Sequence, residues 1–195
     1  MSSIFPSVSF LSVLSFLLIS PVPASAGELD GAWKQGCGPG IIKEEKFSGE
    51  TAEYTETNFW EPTCKNAVVQ TISRGKINLG EAVREPQGAL SIDFTFSSVH
   101  MRPLYERTVE IYNKRHVCGI SDWALNEERE VTGRECDFFG LGSVMRIPAA
   151  GEKRFGIVKV TEGALYFGRL TPEKNGLTPE ARPVQLDPAP YRAVK

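Results

Sequence analysis

Leu90-Ser91-Ile92-Asp93-Phe94-Thr95-Phe96-Ser97 alternates large apolar and small polar side chains at every step. Successive residues of a strand point to opposite faces, so Leu90, Ile92, Phe94 and Phe96 share one face and leave the other wet. That is the pattern of an antiparallel strand lining a core. The same alternation recurs on either side of it, broken by Gly, Pro and Asn. Residues 29–34, 41–47 and 52–59 read as strands upstream, and 68–73 with 76–79 as two more that turn at Arg74-Gly75. Downstream, 107–114 (Val109 and Ile111 on one side) and 130–138 read as strands. Residues 155–160 and 165–170 read as a hairpin in which Gly163 takes the positive φ of a tight turn. Helix is minor: the best candidate is 122–128, which reads equally well as a turn. From Thr171 on, Pro172, Pro179, Pro183, Pro188 and Pro190 accumulate and imply an extended Pro-rich C-terminal tail laid over the surface. Roughly nine or ten short strands at hairpin spacing predict an all-β, antiparallel sandwich or barrel.

The first 26 residues stand apart. An apolar run from Phe10 to Ile19 is followed by Pro21, Pro23 and Ala24-Ser25-Ala26, which reads as a signal peptide over 1–26, cut after Ala26. The run has about half of the ~20 residues a spanning helix needs. The expected product is therefore exported, secreted or periplasmic, and not an integral membrane protein. The rest, residues 27–195, shows no linker or composition break and is read as one domain with room for a sizeable core.

Charge narrows the partners. Lys and Arg number 22 against 24 for Asp and Glu, and no basic patch interleaves with aromatics, which argues against nucleic acid. Four cysteines, Cys37, Cys64, Cys118 and Cys136, fit an oxidising compartment. They allow three connectivities. Pairing neighbours, Cys37 with Cys64 and Cys118 with Cys136, closes the shortest loops and ties strand ends that hairpins bring together. Structural zinc sites use closer ligand spacing, and His116 beside Cys118 has no third and fourth ligand nearby, so no metal and no other cofactor is expected.

Material for catalysis is equally thin. His100 and His116 are the two histidines, and no Gly-x-Ser-x-Gly elbow is present. Carboxylates such as Glu44, Glu45, Glu53, Glu56 and Asp93 read as solvated, outward-facing strand residues, and no pair among them can be set across a cleft from sequence.

Leu29-Asp30-Gly31-Ala32-Trp33 resembles the first strand of lipocalin-like barrels, in which a Gly-x-Trp plugs the closed end. After it come Gly36-Cys37 with Pro39-Gly40, Phe59-Trp60 before Cys64, Cys118-Gly119 with Trp123, and Val131-Thr132-Gly133 before Cys136. Leu165-Tyr166-Phe167-Gly168, Arg182-Pro183 and Pro190-Tyr191-Arg192 complete the series. This order is similar to the extracellular domain of the adenomatosis-polyposis-coli down-regulated (APCDD) family over nearly the whole mature chain. The resemblance implies a lipocalin-like open antiparallel barrel, clamped by disulfides, with an apolar cavity that in the animal family receives the acyl chain of lipid-modified Wnt proteins. The chain departs from that pattern: it reads as one domain rather than two, has no Asn-x-Ser/Thr sequon, and lacks the Arg before Pro-Gly. A Wnt partner is therefore not implied.

A barrel of this size either fills its interior or leaves room for a small apolar ligand. The expected function is an exported, non-enzymatic binding protein for a hydrophobic small molecule or acylated protein. Phe94, Phe96, Ile111, Ile157 and Phe167 are the cavity candidates, and His100, Met101 and Arg102 are candidates for its mouth. The alternative is a protein-interaction or inhibitory β-domain whose core is filled.

Overall fold

The computed structural model describes residues 28–140 and 142–194, and the expected leader over 1–26 lies outside them. In chain order the elements are β1 (Gly31–Gln35), β2 (Ile41–Ser48), β3 (Thr51–Phe59), β4 (Ala67–Ala82), β5 (Leu90–Pro103), α1 (Glu106–Arg115), β6 (Arg129–Glu130), β7 (Glu135–Cys136), β8 (Met145–Arg146), β9 (Lys153–Thr161), β10 (Ala164–Phe167) and β11 (Tyr191–Ala193). Strand makes up 46% and helix 8%, so the all-β class holds.

Strands β1 to β5 form an antiparallel meander, as do β9 to β11. The two meanders join twice, β5 against β9 and β1 against β11, and β4 pairs with β5. The result is a closed eight-stranded barrel, not the open one expected. Closure leaves no unpaired strand edge among the eight barrel strands, which removes a template for pairing with another chain.

Several elements differ from the sequence reading for identifiable reasons. The turn expected at Arg74-Gly75 is absent, and β4 runs through it as one long strand. Gly75 instead sits at a bulge: it pairs with Phe96 while Arg74 pairs with Ser98, leaving Ser97 as the extra residue of β5. Stretch 107–114 is helical. Its Val109 and Ile111 fit a strand, but Thr108, Ile111, Tyr112 and Arg115 also fit one helix face. Glu106 in the first turn with Lys114 and Arg115 in the last complements the helix dipole. Of the two readings of 122–128, helix or turn, the turn is the one taken, and of 130–138 only short β-ladder pieces remain. The hairpin at Glu162-Gly163 forms as expected, with φ of 51° and 69° and Thr161 opposite Ala164.

The chain after Thr171 does not end as a surface tail. Arg182 donates to the Gly156 carbonyl and, at 2.7 Å, to Asp93 Oδ1, pinning the segment to β5 and β9. Tyr191–Ala193 then enters the sheet as β11, filling the gap between β1 and β10.

Both disulfides join neighbouring cysteines, Cys37 to Cys64 and Cys118 to Cys136. The first links the β1–β2 and β3–β4 connections at one end of the barrel. The second lies inside the insertion between β5 and β9, which carries α1 and a small β7–β8 ladder. By loop entropy each is expected to stabilise by about 3 kcal/mol.

Candidate functional site

Two apolar clusters form in the barrel and its cap. At the end where β2 turns into β3, Leu29, Trp33, Phe47, Ile77, Ile92 and Leu165 pack into a plug. Trp33 donates its indole N–H to the Leu29 carbonyl at 2.7 Å, which satisfies its polar atom while the ring fills the barrel. At the opposite end the insertion builds its own core from Val99, Met101, Val117, Trp123, Val131 and Ile147. Between plug and cap lies a cavity of about 960 Å³. A volume of that order matches pockets that hold small ligands, roughly 300–1,000 Å³.

Four of the five residues expected to face a cavity, Phe94, Phe96, Ile111 and Phe167, line its inner face; Ile157 borders the same space from the other face of β9, opposite Ser91 and beside Gly168 and Pro183. They come from β5, α1, β9 and β10, so strands from both meanders and the cap share the lining. Ile111 arrives from a helix rather than a strand. Phe94 and Phe96 meet edge to face at 4.8 Å.

Of the three residues proposed for the mouth, only Met101 lines the cavity. The Ser97 bulge shifts the alternation of β5 by one, so Val99 and Met101 turn inward after Phe96, and His100 and Arg102 turn out. Outside the barrel those two join an ion-pair network. Arg74 Nε binds Glu53 Oε2 at 2.7 Å, and Arg74 Nη1 binds Glu128 Oε2 at 2.9 Å. Arg102 also pairs with Glu128, and Arg74 Nη1 donates to His100 Nδ1 at 3.2 Å. These bonds tie the segment before β6 to the β4–β5 wall. The Arg74 guanidinium, seconded by Arg102, holds the Glu128 carboxyl down to about 2.

The cavity has one polar wall, on β2 and β3, and here the sequence reading is corrected. Glu44 and Glu53 face outward, paired with Lys34 and Arg74. Glu45 and Glu56, expected to be solvated, line the cavity. Tyr54 donates to Glu56 Oε2 at 2.8 Å, and Asn58 donates to Glu56 Oε1 at 3.2 Å. Glu45 stands between Trp33 of β1 and Tyr54 of β3 in the sheet register. It is half-buried and lines the cavity, and desolvation by the protein around it pushes its carboxyl up to about 8 against the opposing charge of Lys43. Burial likewise pushes the Tyr54 and Tyr191 hydroxyls up, with the neighbouring carboxylates adding to the effect. A signal for this wall was present: Glu45 shares strand parity with Phe47, a core residue.

The other end of the cavity is open and apolar. Trp60, Phe139 and Leu170 line it yet are each about two-thirds or more exposed. Arg115, Arg146 and Arg154 stand in the same lining. Arg146 and Arg154 both bind Glu152, at 2.9 and 2.6 Å, and hold its carboxyl down to about 2. Arg154 also lies over the Phe96 ring, 5.5 Å from its centre.

Among the described residues no group of three or more His, Cys, Asp or Glu side chains is placed to hold a metal ion. No helix among them is long and apolar enough to cross a membrane. No family model matches the chain, and no curated protein matches it significantly.

Proposed function

We propose that the protein is an exported, non-enzymatic binding protein that takes a hydrophobic ligand, an acyl chain or a body of similar shape, into its barrel. The observation that carries this reading is the cavity of about 960 Å³ between the Trp33 plug and the α1 cap. Each buried methylene contributes about 0.8 kcal/mol, so about ten of them reach micromolar strength before ordering costs. Trp60, Phe139 and Leu170 at the rim offer an apolar path inward. The two disulfides fit an oxidising extracellular environment, and export through the leader belongs to the same proposal. So does kinship with the APCDD family, which rests on the order of its motifs alone.

The alternative, an interaction domain with a filled core, is less favoured because the interior holds this space. Extraction of natively purified protein, followed by mass spectrometry, tests the choice. Co-purifying lipid, or saturable uptake of an added alkyl probe, is expected; protein that neither carries nor takes up any such compound would sink the carrier reading.

A further inference from the structure

A carboxyl group that lines an apolar cavity and has no protein partner is open to the polar group of a ligand. Glu45 is in this position. It makes no hydrogen bond or ion pair with any described residue, and it faces the cavity. Glu56, Tyr54 and Asn58 share its wall, and Lys43, two residues along β2 and opposite Glu56 in the register, is the cation beside it. Glu56 adds a second carboxylate, which uses one oxygen for Tyr54 and one for Asn58 and keeps further lone pairs free. Trp33 and Tyr54 flank Glu45 in the register, and Tyr191 is close enough for the Glu45 charge to act on its hydroxyl. Of these rings Tyr54 lines the cavity, and an aromatic face attracts cations.

We propose that the ligand carries a cationic nitrogen, a protonated amine on an apolar body, seated against Glu45 and Glu56 while the hydrocarbon lies along Phe94, Phe96 and Phe167. The proposal rests on the cavity being a ligand site and names the polar group that the site selects. The charged groups facing Glu45 are Lys43 on its own strand, Glu56 and Tyr54 on β3, and Tyr191 on β11, with Asp187 acting on Tyr191 in turn. Lys43 is the cation nearest this wall, and it forms no ion pair with either carboxylate among the described residues. Arg146 and Arg154 stand with Glu152, and Arg115 donates to the Phe138 carbonyl, all away from the acidic wall, so a fatty-acid headgroup would meet them rather than Glu45.

Binding an ammonium favours ionised Glu45. When Glu45 begins neutral, its proton leaves to solvent as the ligand cation takes its place, so amine affinity rises with pH up to the point where Glu45 is already ionised.

Decylamine, 1-decanol and decanoic acid, each below its micelle concentration, test the idea by calorimetry on the full-length mature protein between pH 6 and pH 9. Decylamine is expected to bind about tenfold or more tightly than decanol at the upper pH, with the gap narrowing toward pH 6. Glu45→Gln and Glu56→Gln should erase the gap and leave decanol binding in place. Equal binding of amine and alcohol, a gap that does not change with pH, or tightest binding by the acid would each overturn the amine proposal while leaving the cavity reading standing. Failure of all three probes would overturn both. If the glutamine variants do not fold, the pH profile of the unaltered protein decides alone.

Discussion

Phe94 lies across β4 at Gly75 so tightly that a Cβ at that position would stand 2.6 Å from Phe94 Cζ and 2.2 Å from the Thr95 carbonyl oxygen. The bulge of β5 and the inward pose of Phe94 thus depend on the absence of a side chain opposite them. Gly75→Ala is expected to destabilise the barrel by about 1–3 kcal/mol through overpacking. At roughly 2–4 °C per kcal/mol for a chain of this size, thermal unfolding will resolve it. An unchanged melting temperature would mean that the bulge relaxes freely, and the account of β5 would need revision.

Phe96 borders empty space on the cavity side, so enlarging it should fill the site more than it strains the core. Phe96→Trp is expected to weaken decanol uptake about tenfold or more, with a stability change within about 1 kcal/mol. Displacement of a fluorescent alkyl probe, read beside a thermal melt, separates the two effects. Full uptake by a well-folded variant would show that the ligand does not reach this wall.

The network around Glu128 titrates with acid. Its folded carboxyl is held at about 2, below the ordinary carboxylate value, so its contribution is complete above about pH 4.5 and is lost as pH falls toward 2. Solvent reaches one side of the network, which limits the loss in Glu128→Gln to about 1 kcal/mol at neutral pH and less in high salt. Melts of both proteins from pH 7 down to pH 2 should converge at the acid end.

Glu45 titrates with the opposite sign. Its folded carboxyl is raised to about 8, so between the ordinary carboxylate value and 8 the folded state holds a proton that the unfolded chain has released. The folded state is therefore favoured at low pH and progressively penalised as pH rises through that window. Glu45→Gln removes the penalty: at pH 4 it should match the parent, and at pH 9 it should be more stable by on the order of 2–4 kcal/mol. No gain at pH 9 would mean that water or Lys43 already solvates the carboxylate.

The octad around Phe94 announced a pleated, half-apolar strand because alternation is a local property of the backbone, and β5 carries it as read. The hairpin at Glu162-Gly163 was legible for the same reason. Its turn chemistry lies in two adjacent residues. In contrast, β11 was illegible: three residues among prolines become a strand only because β1 and β10 each present an unpaired edge there. Helix α1 was misread because Val109 and Ile111 fit two periods at once, and contact of Ile111 and Tyr112 with the cavity and cap settles which period is used.

The cavity divides in the same way. Phe94, Phe96 and Phe167 could be named in advance from strand parity, and Ile157 was set on the wrong face of β9, whereas Glu45 and Glu56 were taken for solvated residues because a carboxylate is mostly found in water. His100 and Arg102 were placed on the wrong face by one extra residue, Ser97, whose effect depends on pairing with a strand distant in the chain.

By itself, then, the sequence determined the all-β class and the alternation of the main strands, and through the short loops between neighbouring cysteines it favoured the disulfide pairing that the structure shows. Those are properties of residues near one another along the chain. Tertiary structure alone decided that the sheet closes, that β5 changes face at Ser97, and that a space bounded by the Trp33 plug, the α1 cap and an acidic wall lies within. Closure and an internal void arise from the fit of volumes and registers contributed by distant segments, and local periodicity carries no record of that fit.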